Sequence, residues 1–346
     1  MTSRLGTVGR MASDVASASS GQSRIAADAG LLYLPDDRPG IARRRRGRGF
    51  TYVDHRGRVV DGAERSRLQA LAIPPAWTAV WIAAEPDAHL LATGYDDRGR
   101  KQYLYHPAWR EASDLAKFEH LGPVGDALTR LRRDVDQELR SHGVEWRTAA
   151  VVRLIDNSLI RPGSRRRLEE NGSVGAITLG IGDVRVDGAR IALHFEGKSA
   201  VEQQTEVRDP LLARRLSTLI DESTGGMLFV DSDDRPITAG QVNEYIGIHS
   251  GSDMSAKDLR TWGATCAAAE RLVRADGDDI DAAVRGAIEH AADRLGNTVA
   301  VCRSSYIAPR VLSAFETGEL VEEWQRSRRA KWLSRVEQTV RRVVRV

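Results

Sequence analysis

The hydrophobic period of this chain changes once, near Trp109, and that change limits what it can fold into. Between about residues 31 and 110, short apolar runs are broken by turn residues. TYVDHRGRVV (51–60) reads as a hairpin around His55-Arg56-Gly57, and LLATGYDDRGRKQYLYH (90–106) as another turning at Asp97-Arg98-Gly99. IPPAWTAVWIA (73–83) adds β-branched and aromatic residues behind Pro74-Pro75. Beyond HPAWREAS the period is helical, with Leu128, Leu131, Val135 and Leu139 on one stripe. Residues 147–160 are apolar on most sides, which predicts a buried helix stopped by Pro162-Gly163. One β island follows at DVRVDGARIALHFEGKS (183–199), where Ile191, Leu193 and Phe195 alternate. Helical periodicity resumes near 208, and a last helix places Trp332, Leu333, Val336, Val340 and Val343 on one face. The expected fold class is α+β. A disordered tail (1–35) precedes a small antiparallel β-sheet domain (36–110), then a mainly α-helical domain (111–346) with one short β-sheet.

A length of 346 residues exceeds the usual single core and agrees with two domains. Composition removes several classes of function. Cys266 and Cys302 form no CxxC and no disulfide framework, which fits a reducing cytosol. The first 30 residues lack an apolar h-region, and no run is long enough to span a membrane, so a cytoplasmic protein is expected. The eight histidines never fall into a metal-ligand spacing, and neither a Walker loop nor a GxGxxG after a strand is present. No metal and no cofactor are expected. Arginine runs at 43–46, 165–167, 328–329 and 341–342, with a pI near 9.0, point to an anionic partner or to solvated basic faces.

Several residues carry candidate chemistry. In GYDDRGRKQYLYH, the side chains of Arg98, Arg100, Lys101 and Gln102 interleave with Tyr103 and Tyr105. A β-ribbon fits the DNA major groove, where glutamine can read an adenine edge while Arg and Lys hold phosphates. The same pattern also suits an edge hairpin whose tyrosines cover a core. Arg161 ends a nearly continuous apolar helix, where it either pairs with an anion or complements the helix dipole. Lys198 follows Gly197 at a strand end, a place equally suited to an ordinary exposed turn lysine. Lys257 and Arg260 are one helical turn apart, so both can face one phosphate. Asn297 precedes Tyr306 in LGNTVAVCRSSY. Arg161, Lys198, Arg260, Asn297 and Tyr306 give two guanidiniums, an ammonium, an amide and a phenol, with no carboxylate among them, and suit attack by a phenolate on a phosphodiester.

The ordered stretches GYDDRGRKQYLY, LIRPGS, FEGKS, KDLRTWG and LGNTVAVCRSSY, running from about 40 to 315, resemble the poxvirus-type DNA topoisomerases IB, including their bacterial members. The resemblance implies a helical core of the kind shared with tyrosine recombinases, and double-stranded DNA as partner. It implies that Tyr306 attacks the scissile phosphate to form a 3′-phosphotyrosine and that Arg161 and Arg260 hold the nonbridging oxygens. Lys198 would protonate the departing 5′ oxygen, with Lys257 as the second lysine and Asn297 as a further donor. Gln102, Tyr103 and Tyr105 match the family's DNA-contacting hairpin. It further implies a monomer that closes as a clamp around DNA and works without ATP, in the cytoplasm at the nucleoid. Asn297 stands where the poxvirus enzymes carry histidine, and Pro162-Gly163-Ser164 where the family often reads Val-Gly-Asn. Two other readings use the same residues. A tyrosine site-specific recombinase usually has His-x-x-Arg where this chain has Lys257-Asp-Leu-Arg260, and an inactive DNA-binding protein need not retain all the chemical positions.

Overall fold

The computed structural model describes residues 22–345 apart from 120, 142, 224–225, 232 and 278. Residues 1–21, most of the expected disordered tail, lie outside the described residues. The remainder of that tail differs from expectation. Residues 22–28 are helical, and Ala26 and Leu31 are buried with Trp109, with Ile25 and Ala29 packed alongside. Burial of that apolar face offsets the entropy of ordering the segment.

The chain divides into two compact units, 1–117 and 118–346, so the division falls inside the helix Pro107–Glu119. The first unit holds a five-stranded antiparallel sheet of β1 (Ile41–Arg46), β2 (Gly49–Val53), β3 (Thr78–Ile82), β4 (Leu90–Tyr95) and β5 (Lys101–Tyr105), ordered β2-β1-β3-β4-β5. Leu68 of the helix Gly62–Ala70 joins Ile41, Val80, Ile82 and Ala92 in the core beneath it. The arginine run is strand β1, and its first member is structural. Arg43 donates to the carbonyls of Ile73 (2.8 Å), Pro74 (2.9 Å) and Trp77 (2.9 Å) and lies over the Phe50 ring. The hairpin expected over 51–60 is only partly formed. β2 pairs with β1 across Gly47-Arg48, whereas the turn at 54–57 closes a single bridge between Val53 and Val59. Asp54 causes that turn, its Oδ1 accepting from the Arg56 and Arg58 amides at 2.9 Å each.

The second unit is mainly helical around one apolar core, with a three-stranded antiparallel sheet of β6 (Val184–Asp187), β7 (Arg190–Glu196) and β8 (Glu202–Arg208). β8, EQQTEVR, has no apolar alternation to announce it, and it extends the expected two-stranded island. The buried helix is Trp146–Ser158, and it ends at Leu159 in a left-handed conformation (φ 60°), ahead of the Pro162-Gly163 stop expected. Ser255 and Asp258 form a capping box that starts the helix Ala256–Leu272. The last helix is Arg335–Val343, with Val336, Val340 and Val343 buried, so Trp332 and Leu333 precede it and do not lie on it. Glu337 on this helix ties the unit together. It accepts from Arg132 (2.7 Å) and from Trp262 Nε1 (3.1 Å), while Arg132 also pairs with Asp156 (2.7 Å).

No described helix is long and apolar enough to cross a membrane.

Candidate active site

Arg161 lies in the loop after Leu159, and that loop is braced on its other side. The Arg161 and Pro162 carbonyls accept from the Ala176 (2.8 Å) and Ile177 (2.9 Å) amides. Gly163 (φ +85°) and Gly175 touch backbone to backbone, since a Cβ at Gly175 would sit 2.6 Å from Gly163 Cα. The glycine of the RPGS stretch therefore serves to dock the arginine loop.

Tyr306 follows the helix Val299–Ser305, its amide donating to Cys302 O at 2.9 Å. Thr265 holds its backbone in place. The Thr265 hydroxyl donates to Tyr306 O (3.1 Å) and accepts from the Ala308 amide (3.2 Å). Arg260 lies on the same helix as Thr265 and is only 3% exposed. Its Nη1 donates to Tyr306 Oη at 2.9 Å, Nε to Leu159 O at 2.7 Å, and Nη2 to Leu295 O at 3.3 Å. All three acceptors are uncharged. Among the described residues neither Arg260 nor Arg161 has a carboxylate partner.

The electrostatics follow from that placement. Burial pulls the Arg260 pKa below the usual arginine value; Tyr306 opposes the shift and the neighbouring Arg161 charge adds to it. Burial likewise lowers Arg161, again opposed by Tyr306 and reinforced by Arg167. Two guanidiniums that repel each other beside one phenol form a cationic centre that an anion would neutralise.

The helix Ile280–Leu295 closes at Gly296 (φ +61°), which delivers Asn297 to Arg161. Arg161 Nη2 donates to Asn297 Oδ1, and Nη1 to Gly296 O at 3.4 Å. Asn297 Nδ2 is buried with no hydrogen-bond partner, a donor in need of an acceptor. Arg161, Asn297 and Lys198 line one cleft of about 640 Å³ with Gln203, Thr298 and Val301. Lys198 opens a short 3₁₀ turn between β7 and β8, is exposed, and makes no ion pair among the described residues. The structure thus joins Arg260 to Tyr306 and gathers Arg161, Asn297 and Lys198. Lys257 is exposed in the first turn of the Arg260 helix, and no hydrogen bond or ion pair joins its ammonium to the other five.

On the hairpin of the first unit, Tyr103 and Tyr105 share a face with rings stacked at 6.0 Å, and Leu104 packs into the core from the other side. Tyr103 is exposed, so it does not cover the core. The basic residues are less free than their sequence suggests. Lys101 pairs with Asp36 at 2.6 Å, and Arg100 with Asp96 at 2.8 Å. Gln102 Nε2 also donates to Asp96, at 2.8 Å. Arg98 makes no side-chain ion pair among the described residues.

Sequence reasoning missed Thr265, the Leu159 carbonyl and Gln203. Thr265 sits in an alanine-rich helical run with no local signature, and a backbone carbonyl has none at all.

Comparison with known proteins agrees with this geometry. A family model of the eukaryotic DNA topoisomerase I catalytic core matches residues 106–325, and one of the bacterial DNA topoisomerase IB N-terminal domain matches residues 49–96. The chain belongs to the type IB DNA topoisomerase family, and it is an isomerase that acts on DNA. DNA topoisomerase 1B of Acanthamoeba polyphaga mimivirus is 26% identical over 296 residues, covering 80% of this chain and 88% of the relative. DNA topoisomerase 1 of rabbit fibroma virus (strain Kasza) is 24% identical over 233 residues, covering 65% and 72%. A XerA recombinase structure aligns with 56% of this chain and 61% of its own at 17% identity and a TM-score of 0.38, a likeness too slight to favour a recombinase.

Proposed function

We propose that this topoisomerase relaxes supercoiled duplex DNA through a transient 3′-phosphotyrosine on Tyr306. The observation that carries the reading is Arg260, a buried cation whose donors meet only neutral acceptors, one of them the Tyr306 hydroxyl. A buried charge of this kind is stabilised by an anion, and the scissile phosphodiester supplies one. Tyr306 Oη passes its proton to solvent water and bonds to phosphorus, and the bond to the 5′ oxygen breaks. Lys198 transfers a proton to that oxygen. Arg161 and Arg260 hold the nonbridging oxygens, and the unpartnered Asn297 amide adds a neutral donor. Lys257 assists from the same helix as Arg260. The phosphotyrosine retains the energy of the broken bond, so the strand rotates and the 5′ hydroxyl religates without ATP. In this reading the arginines and lysine stabilise the transition state without a required metal. The enzyme acts as a monomer whose two units close on duplex DNA, in the cytoplasm at the nucleoid.

The test is incubation with positively and negatively supercoiled plasmid in EDTA without ATP, where both should relax. Tyr306→Phe should bind DNA and form no covalent adduct, and the parent adduct should sit on the 3′ side of the nick. Strict dependence on ATP or magnesium, or protein bound to a 5′ end, would overturn the proposal.

A further inference from the structure

Gln203 lies on β8 and lines the cleft that holds Arg161, Lys198 and Asn297. Its side chain is wedged between two glycines, Gly197 and Gly296, each of which immediately precedes a member of that set. A Cβ built at Gly197 would meet Gln203 Cγ at 2.8 Å, and one built at Gly296 would lie 2.6 Å from Gln203 Cδ and 2.7 Å from Nε2. Gly197 has φ −91° and ψ −159°, backbone that any residue adopts, so contact and not conformation requires glycine there. The amide makes only a long hydrogen bond, 3.4 Å to the Glu202 carbonyl, so packing is what holds it.

We infer that Gln203 is a positioning residue that sets the spacing between the Lys198 turn and the Arg161–Asn297 pair. Gly197 of the turn faces Gln203 Cγ and Gly296 at the helix end faces its amide group, so the Gln203 side chain is the spacer between them. This rests on the reading of the cleft as the cleavage site. Small displacements of a reacting group cost rate and not binding, on the order of 10²-fold per ångström.

The experiment measures DNA affinity and single-turnover cleavage for Gln203→Ala, Gly197→Ala and the double variant, with melting temperature as a check on folding. Gln203→Ala should cleave about tenfold more slowly with affinity and melting temperature unchanged, the split expected of positioning. Gly197→Ala should slow cleavage because its new methyl meets Gln203 Cγ. The double variant should be no slower than Gln203→Ala alone, since the clash has been removed. Parent-like cleavage in either single variant, or losses that add in the double, would overturn the inference. If Gln203→Ala fails to fold, Gly197→Ala decides: slowed cleavage with affinity and melting temperature unchanged supports the wedge, and parent-like cleavage overturns it. Lys198→Ala in the same assay separates the two levels. A parent-like rate there defeats the reading of the cleft, whereas a slowed Lys198→Ala beside an unaffected Gln203→Ala defeats only the positioning role.

Discussion

Arg260 Nη1 donates to the Tyr306 hydroxyl at 2.9 Å while Nε of the same guanidinium holds the Leu159 carbonyl at 2.7 Å. One planar fork therefore orients the Tyr306 hydroxyl and anchors itself to the end of another helix. A lysine, with a single rotatable ammonium, cannot keep both bonds. Arg260→Ala should lower single-turnover cleavage by about 10²–10³-fold, as for loss of one preorganised donor. Arg260→Lys should recover little of that. A lysine variant within threefold of the parent would show that charge alone suffices.

Lys198 is exposed and makes no ion pair among the described residues, so its ammonium would be available to move a proton. Its replacement by alanine should cost on the order of 10²–10⁴ in cleavage rate, the range of general acid catalysis. With a bridging 5′ sulfur at the scissile bond the loss should largely vanish, because a thiolate leaves without a proton. Arg260→Ala should stay slow on both substrates. Equal rescue of both variants, or of neither, would leave Lys198 as a phosphate contact only.

The hairpin residues should differ in their contribution to DNA binding. Arg98 makes no ion pair among the described residues, whereas Lys101 is held by Asp36, a contact that raises the Lys101 pKa. Arg98→Ala should flatten the log–log salt dependence of affinity by about 0.9, the value for one phosphate contact. Lys101→Ala should change the slope less, because the ammonium must first leave its carboxylate. Equal slopes for both variants would mean that the Asp36 pair opens on DNA.

Acid should loosen the second unit through Glu337. Burial pushes this carboxyl up, but Arg132 and Ser334 outweigh it and hold the folded pKa below the usual glutamate value. A depressed folded value means that the stabilisation is full above the unfolded pKa and is lost as pH falls through the folded one. Melting temperature should therefore drop as pH is lowered from about 5. Glu337→Gln should be less stable at neutral pH, by up to about 3–5 kcal/mol for a broken buried pair, with a flatter acid limb. An acid limb as steep as the parent's would assign the loss to other carboxylates.

The chemical groups of the site were legible because their types and order are unusual, even where each residue looked ordinary alone. Lys198 and Arg161 were placed by local features, a strand end and a helix end, and the fold brings those two ends to one cleft. What escaped notice depends on partners distant in sequence. Asp36 neutralising Lys101, Thr265 holding Tyr306, and Gln203 between Gly197 and Gly296 leave no periodicity to read. β8 was missed because a strand of polar residues carries no burial pattern, and the 22–28 helix because its small apolar face is completed by the distant Trp109.

The Thr265 hydroxyl grips the backbone at Tyr306 and at Ala308, and Thr265 belongs to the helix Ala256–Leu272. A DNA strand tethered to Tyr306 would therefore load that helix mechanically while the free end swivels. Trp262 passes the load to Glu337, and Glu337 to Arg132 and Asp156. If Tyr306 carries the DNA, the helix Arg335–Val343 would serve as the mooring against which torque is released, and weakening it should let the tether give before the supercoils are spent.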